Sequence, residues 1–120
     1  MTVEPLNPVQ VENHLRELSN RIAKGVGYVS KKQYEFDEAE RLYKKAYAIA
    51  FTTGEGSNED RKQAAVLRTM EALEQRDNAK AALDYSKDLV RSYRDEMSTY
   101  QTISAMVRAM YSVAGRGEGA

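Results

Sequence analysis

Apolar positions recur at helical spacing along most of this chain. Val11, Leu15, Leu18 and Ile22 follow one another at intervals of four, three and four, which marks one face of a helix. Asn7 followed by Pro8 reads as a cap and a first helical residue. Phe36, Ala39, Tyr43, Ala46 and Ala50 repeat the spacing, with Glu35, Glu38, Arg41, Lys44 and Lys45 opposite them. Glu38 with Arg41 and Glu40 with Lys44 are spaced for weak surface ion pairs. Val66, Met70 and Leu73 open a third stripe. Leu83, Ser86, Val90, Tyr93, Met97, Tyr100, Ser104, Val107 and Tyr111 then alternate three and four, a heptad repeat. No strand signal of comparable strength occurs.

Glycine and proline punctuate this pattern, because inside a helix they cost about 1 and about 3 kcal/mol. Gly25 and Gly27 are expected to weaken or kink the first helix. Thr52–Asn58, with Gly54 and Gly56, reads as a loop, after which Ser57 or Asn58 caps the next helix and Glu59 and Asp60 meet its positive end. Ser57–Ala114 holds neither Gly nor Pro and as one helix would run to about 87 Å. Its middle, Gln75–Asp88, is polar and Ala-rich, and the stripe changes phase near Asn78–Ser86, which leaves one bent helix or two. The expected fold is all-α: an elongated helical hairpin or bundle with a long C-terminal helix, oligomerising. Residues 1–114 form a single helical domain and 115–120 a flexible Gly-rich tail.

Composition changes this picture in one respect. Leu, Ile, Val and Phe together make up under a fifth of the residues, which is little for a self-contained core. Lys+Arg and Asp+Glu number 18 each, and a net charge of zero argues against full disorder. A helical protein that completes its core with other copies or a partner fits both facts. The absence of Cys removes disulfides, thiolate metal sites and Cys nucleophiles. No run of 18 apolar residues could span a bilayer, and the N-terminus lacks a signal-peptide pattern, so the expected location is the cytoplasm with no membrane partner.

Met97–Ala114 stands apart. It carries one charge, Arg108. Met97, Tyr100, Ile103, Met106, Val107, Met110, Tyr111 and Val113 spread over more than one face, with small residues between them. A helix apolar or small on most sides is a buried helix. The expected covering surface is another subunit, with Met97, Tyr100, Ile103, Met106, Val107, Met110 and Tyr111 as the interface. The other reading is a terminal helix packed within its own monomer.

Few residues suggest chemistry. His14 and Glu17 share a helix face, but a di-iron bundle needs Glu-x-x-His twice, so His14 reads as a solvated or capping residue. No acid–base pair, nucleophile or metal constellation emerges. The chain is read as a non-enzyme without a cofactor. Leu18–Tyr34 holds Arg21, Lys24, Lys31 and Lys32 with no acid, interleaved with Tyr28 and Tyr34. Such a segment either contacts a phosphate backbone and stacks bases or is a solvated face with two core tyrosines. Gly54-Glu55-Gly56 is not a phosphate loop, because no Gly-Lys-Ser/Thr follows.

The order of features from Glu38 to Gly117 resembles the small phage recombination mediators of the UvsY type. It comprises Lys44-Lys45 among aromatics, Gly54-Glu55-Gly56, Asn58-Glu59-Asp60-Arg61, a long Ala- and Lys-containing helix, and an apolar last helix ending Arg116-Gly117. The resemblance implies a non-enzymatic, ring-like homo-oligomer joined through its C-terminal helix. It implies binding of single-stranded DNA and contact with a recombinase and a single-strand-binding protein, helping to load the recombinase. The DNA-contacting pair would be Lys44 and Lys45, after a one-residue shift at the helix–loop junction. Without that shift the second position falls on Ala46. Arg21, Lys24, Lys31, Lys32, Tyr28 and Tyr34 join the DNA-binding set from local charge alone.

Two other readings stand beside this one. A phage or bacterial helical assembly or adaptor protein would bind only protein. A small helical inhibitor would dock a host enzyme through acidic faces such as Glu35-Asp37-Glu38-Glu40.

Overall fold

A computed structural model describes residues 7–118, all of them helical except Asn7, the loop 53–57 and Thr69. The fold is all-α. Helix α1 is Pro8–Thr52, α2 is Asn58–Arg68 and α3, the long C-terminal helix, is Met70–Glu118. No strand is present among the described residues.

The helix starts are set by local chemistry. Asn7 Oδ1 accepts the Gln10 N–H at 2.9 Å, and the Asn7 N–H reaches back to Gln10 Oε1 at 3.4 Å. At α2 the Ser57 hydroxyl accepts the Asp60 N–H and the Asp60 carboxylate accepts the Ser57 N–H, both at 3.2 Å. These are reciprocal capping boxes that satisfy otherwise orphaned donors.

The chain packs as two compact units. The first contains residues 7–26 of α1 and 88–118 of α3. Val11 and Leu18 are fully buried, Leu15, Ile22 and Gly25 half-buried, so the seam of α1 runs on at the same spacing. On α3 the heptad Val90, Tyr93, Met97, Tyr100, Ser104 and Val107 is the covered face. The two segments run antiparallel, since His14 meets Glu96 and Gly25 meets Val90. Full burial of a Leu or Val side chain contributes about 1.5–3 kcal/mol.

The second unit is residues 27–87. Its seam on α1 is Val29, Lys32, Phe36, Ala39, Tyr43, Ala46 and Ala50. Ala65 of α2 and Leu83 of α3 are buried, as are Thr69 and Ser86. Ser86 Oγ donates to the Leu83 carbonyl at 2.7 Å, which removes the cost of burying a hydroxyl. Arg76 packs over the Tyr43 ring at 5.7 Å and lies 3.8 Å from Glu40.

Three expectations are corrected here. The helix passes Gly25 and Gly27 without interruption, because Gly25 lies in the packed seam and packing outweighs its low propensity. The third stretch is interrupted at Thr69, not near Asn78–Ser86. There φ is −111° and ψ 11°, the Thr69 N–H is shared between the Ala65 and Val66 carbonyls, and Thr69 Oγ1 donates to the Ala65 carbonyl at 2.6 Å. The seam does not change phase in the polar middle. Thr69, Ala72, Arg76, Ala79, Leu83 and Ser86 keep the three–four alternation with small and polar side chains, which leaves Val66 and Met70 exposed. Helix α3 continues through Gly115 and Gly117 to Glu118, into the segment 115–120 expected as a flexible tail. Glycine lowers helix propensity without forbidding helical dihedrals, and a helix already formed extends at one hydrogen bond per residue. Residues 119–120 of that tail lie outside the described residues.

Candidate functional site

The residues expected at a subunit interface divide into two groups. Met97, Tyr100 and Ile103 are half-buried and Val107 is 8% exposed, so they are largely covered within the first unit. Tyr100 lies against His14, ring centroids 4.0 Å apart. Met106, Met110 and Tyr111 are 60%, 67% and 56% exposed. Met106 and Met110 lie off the covered heptad stripe, and Tyr111 continues that stripe past the end of its partner helix. Pro8, at the start of α1, lies alongside Ser104 and Arg108, so α1 has nothing to offer α3 from Ala109 onward. Every described side chain from Ala109 to Ala114 is exposed. Met110 and Val113, with Ala109 and Ala114, line a shallow apolar concavity there. Val113 was named among the apolar residues of this stretch but not assigned to the interface from sequence.

The expected basic residues are distributed differently from the pattern of their charges. In the first unit Arg21 is held by Glu17 at 2.6 Å and lies over the Tyr93 ring at 5.9 Å, while Lys24 is exposed. In the second unit Lys31 is exposed and Lys32 occupies a seam position. Lys32 Nζ donates to Glu35 at 3.1 Å and lies over the Tyr28 ring at 5.1 Å. The hydrogen bond to Glu35 holds the Lys32 ammonium above its ordinary pKa, outweighing the opposing effect of lost water, with Tyr28 adding in the same direction. Tyr28 and Tyr34 are both exposed. Neither is a core tyrosine.

Lys44 is exposed, with Nζ 3.5 Å from Glu40, and Lys45 is exposed on the next position of the same turn. Lys45 takes part in no ion pair of the described residues. Ala46, the position selected by the unshifted register, is half-buried in the seam. The pair Glu38–Arg41 forms as its spacing predicts.

His14 Nε2 lies 3.0 Å from Glu96 Oε1, joining helices 82 positions apart in sequence. It is a tertiary contact rather than the solvated or capping residue expected. No group of three or more His, Cys, Asp or Glu side chains among the described residues could hold a metal ion. No described helix is long and apolar enough to cross a membrane.

The chain matches no known protein family, no curated protein and no solved structure.

Proposed function

We propose that this chain is a non-enzymatic assembly protein whose copies associate through the outward end of α3. One observation carries the reading. Met106, Met110, Tyr111 and Val113 stand more than half exposed together in a stretch whose one charge is Arg108. Monomers rarely leave such apolar surface contiguous and open. A second copy suits it because the surface offers no charge pattern by which to select a different partner, and a patch of Met, Val, Ala and Ser is self-complementary about a two-fold axis. The test is light scattering across a concentration series for the native chain and for Met110→Glu/Val113→Glu. The native chain should associate, and the variant should lose the part of that association that runs through α3 while its helical content stays intact. A native monomer at every concentration would remove the reading.

A more specific reading rests on the exposed neighbours Lys44 and Lys45. As a recombination mediator in the cytoplasm, the assembly would bind single-stranded DNA and help load a recombinase, alongside a single-strand-binding protein. Two cations per copy bind a strand weakly and lose affinity with salt. An assembly presents several such pairs, and avidity multiplies them where one strand reaches more than one. Affinity for a labelled single strand should fall steeply along a salt series, and Lys44→Ala/Lys45→Ala should flatten that slope. No binding at low salt would leave the assembly reading alone, with protein partners only. A monomer gripping one host enzyme would instead favour the inhibitor reading.

A further inference from the structure

The second unit carries two open apolar surfaces of opposite charge. The first is on α2 and the start of α3. Val66 and Met70 are 50% and 58% exposed, although the sequence pattern set them in a stripe. Met70 and Leu73 floor a groove of about 390 Å³ whose remaining wall is Glu71, Glu74 and Asp77. The ion pairs of this unit join Lys32 to Glu35, Arg41 to Glu38, and both Lys44 and Arg76 to Glu40. None of the three groove carboxylates is engaged in them.

The second surface is on α1. Leu42 and Ile49 are 60% and 52% exposed, off the seam and one heptad apart, which is about 10.5 Å along the helix. Lys45 stands between them on the same outer face, exposed and outside every ion pair of the unit. This is an amphipathic helix face with two apolar anchors around one cation. The groove is the complement: apolar floor, carboxylate rim. It is too open to enclose a small molecule and suited to side chains of a docked helix.

We propose that the second unit binds a second copy of this chain head to tail. The Leu42–Lys45–Ile49 face of one copy seats its apolar side chains against Met70 and Leu73 of the next, with Lys45 among Glu71, Glu74 and Asp77. Charge complementarity favours this occupant, because the surfaces are of opposite sign and each copy presents one of each. The contact joins unlike surfaces, so it propagates from copy to copy and ends in a ring or continues as a filament. It shares no residue with the end of α3 and does not depend on association there, but it engages Lys45 and is therefore an alternative to a single-strand contact by that residue.

The test uses the full chain carrying Met110→Glu/Val113→Glu, so that only the proposed contact remains. Sedimentation velocity over a concentration series at low salt should show association persisting. Lys45→Glu in that background should weaken it at least about tenfold, as should Glu71→Lys/Glu74→Lys, by setting like charges face to face. Mixing those two reversed proteins should restore association, since each then offers the complement of the other. Circular dichroism checks that helicity is retained. Leu42→Ser serves as a charge-neutral variant and should also weaken association. A background protein that is monomeric at all concentrations, an association indifferent to the reversals and to Leu42→Ser, or a mixture that fails to associate would each overturn the proposal. Failure of the end-of-α3 reading is seen separately, in the comparison of the native chain with the background protein.

Discussion

A Cβ added to Gly25 would lie 2.6 Å from Cγ2 of Val90. The two residues face each other across the seam between α1 and α3 in the first unit. Val90 is buried, and a β-branched side chain in a helix has one strongly preferred rotamer, so it cannot swing aside. Gly27, two positions on, has nothing within 4 Å of the same added atom.

The same substitution should therefore have opposite signs at these two glycines. Gly27→Ala should stabilise by about 0.5–1 kcal/mol, the gain in helix propensity with no steric cost. Gly25→Ala gains the same propensity but overpacks the seam, which costs about 1–3 kcal/mol, and the net should be destabilising. Urea midpoints of the two variants, on either side of the native value, check this. Two stabilised variants would show that the helices can separate at Gly25 without loss.

Leu18 is fully buried in a unit with few large buried side chains. Leu18→Ala should cost about 2–5 kcal/mol, from lost burial and the cavity left behind. Leu42→Ala, at a position 60% exposed, should change monomer stability by less than about 0.5 kcal/mol. Thermal or urea unfolding of the pair separates seam from surface, although their sequence neighbourhoods are equally apolar.

The loop before α2 couples two residues to one cap. Gly56 has φ +97°, and a Cβ there would sit 2.8 Å from Oδ2 of Asp60, the carboxylate that closes the capping box on Ser57. Ser57→Ala should cost about 1 kcal/mol and Gly56→Ala about 1–3 kcal/mol, through loss of the cap and backbone strain respectively. The double variant should cost less than the sum, because either change disturbs the same Asp60 contact. A double-mutant cycle followed by unfolding measures that coupling.

Lys32 gives a pH dependence with a definite sign. Its pKa in the folded chain is raised above the ordinary 10.5, chiefly by the hydrogen bond to Glu35. The folded chain thus holds this proton more tightly than the unfolded one. The stabilisation is fully present below pH 10.5 and is lost as pH rises through the raised value. The stability difference between native protein and Lys32→Met should accordingly shrink in alkaline solution above pH 10.5 and stay constant near neutrality. Unfolding midpoints of both proteins along that range provide the measurement.

The sequence by itself determined the helical class, the cap at Asn7, a cap at Ser57 or Asn58, the seam at Val11–Ile22 and the heptad from Leu83 to Val107. Each of these depends on chemistry within a few residues: a side chain capping its own backbone, or apolar groups stacked on one face. Only the tertiary structure decided where small and polar residues belong. Gly25, Thr69 and Arg76 occupy seam positions that no count of apolar residues selects, because a neighbouring helix supplies the close contact or a local carbonyl the hydrogen bond. It likewise decided which apolar residues stay uncovered. Val107 and Tyr111 are successive positions of one heptad stripe, but α1 begins at Pro8 and covers the first and not the second. Burial depends on where the partner helix starts and ends, and a stripe on one helix does not encode the extent of the helix that must cover it.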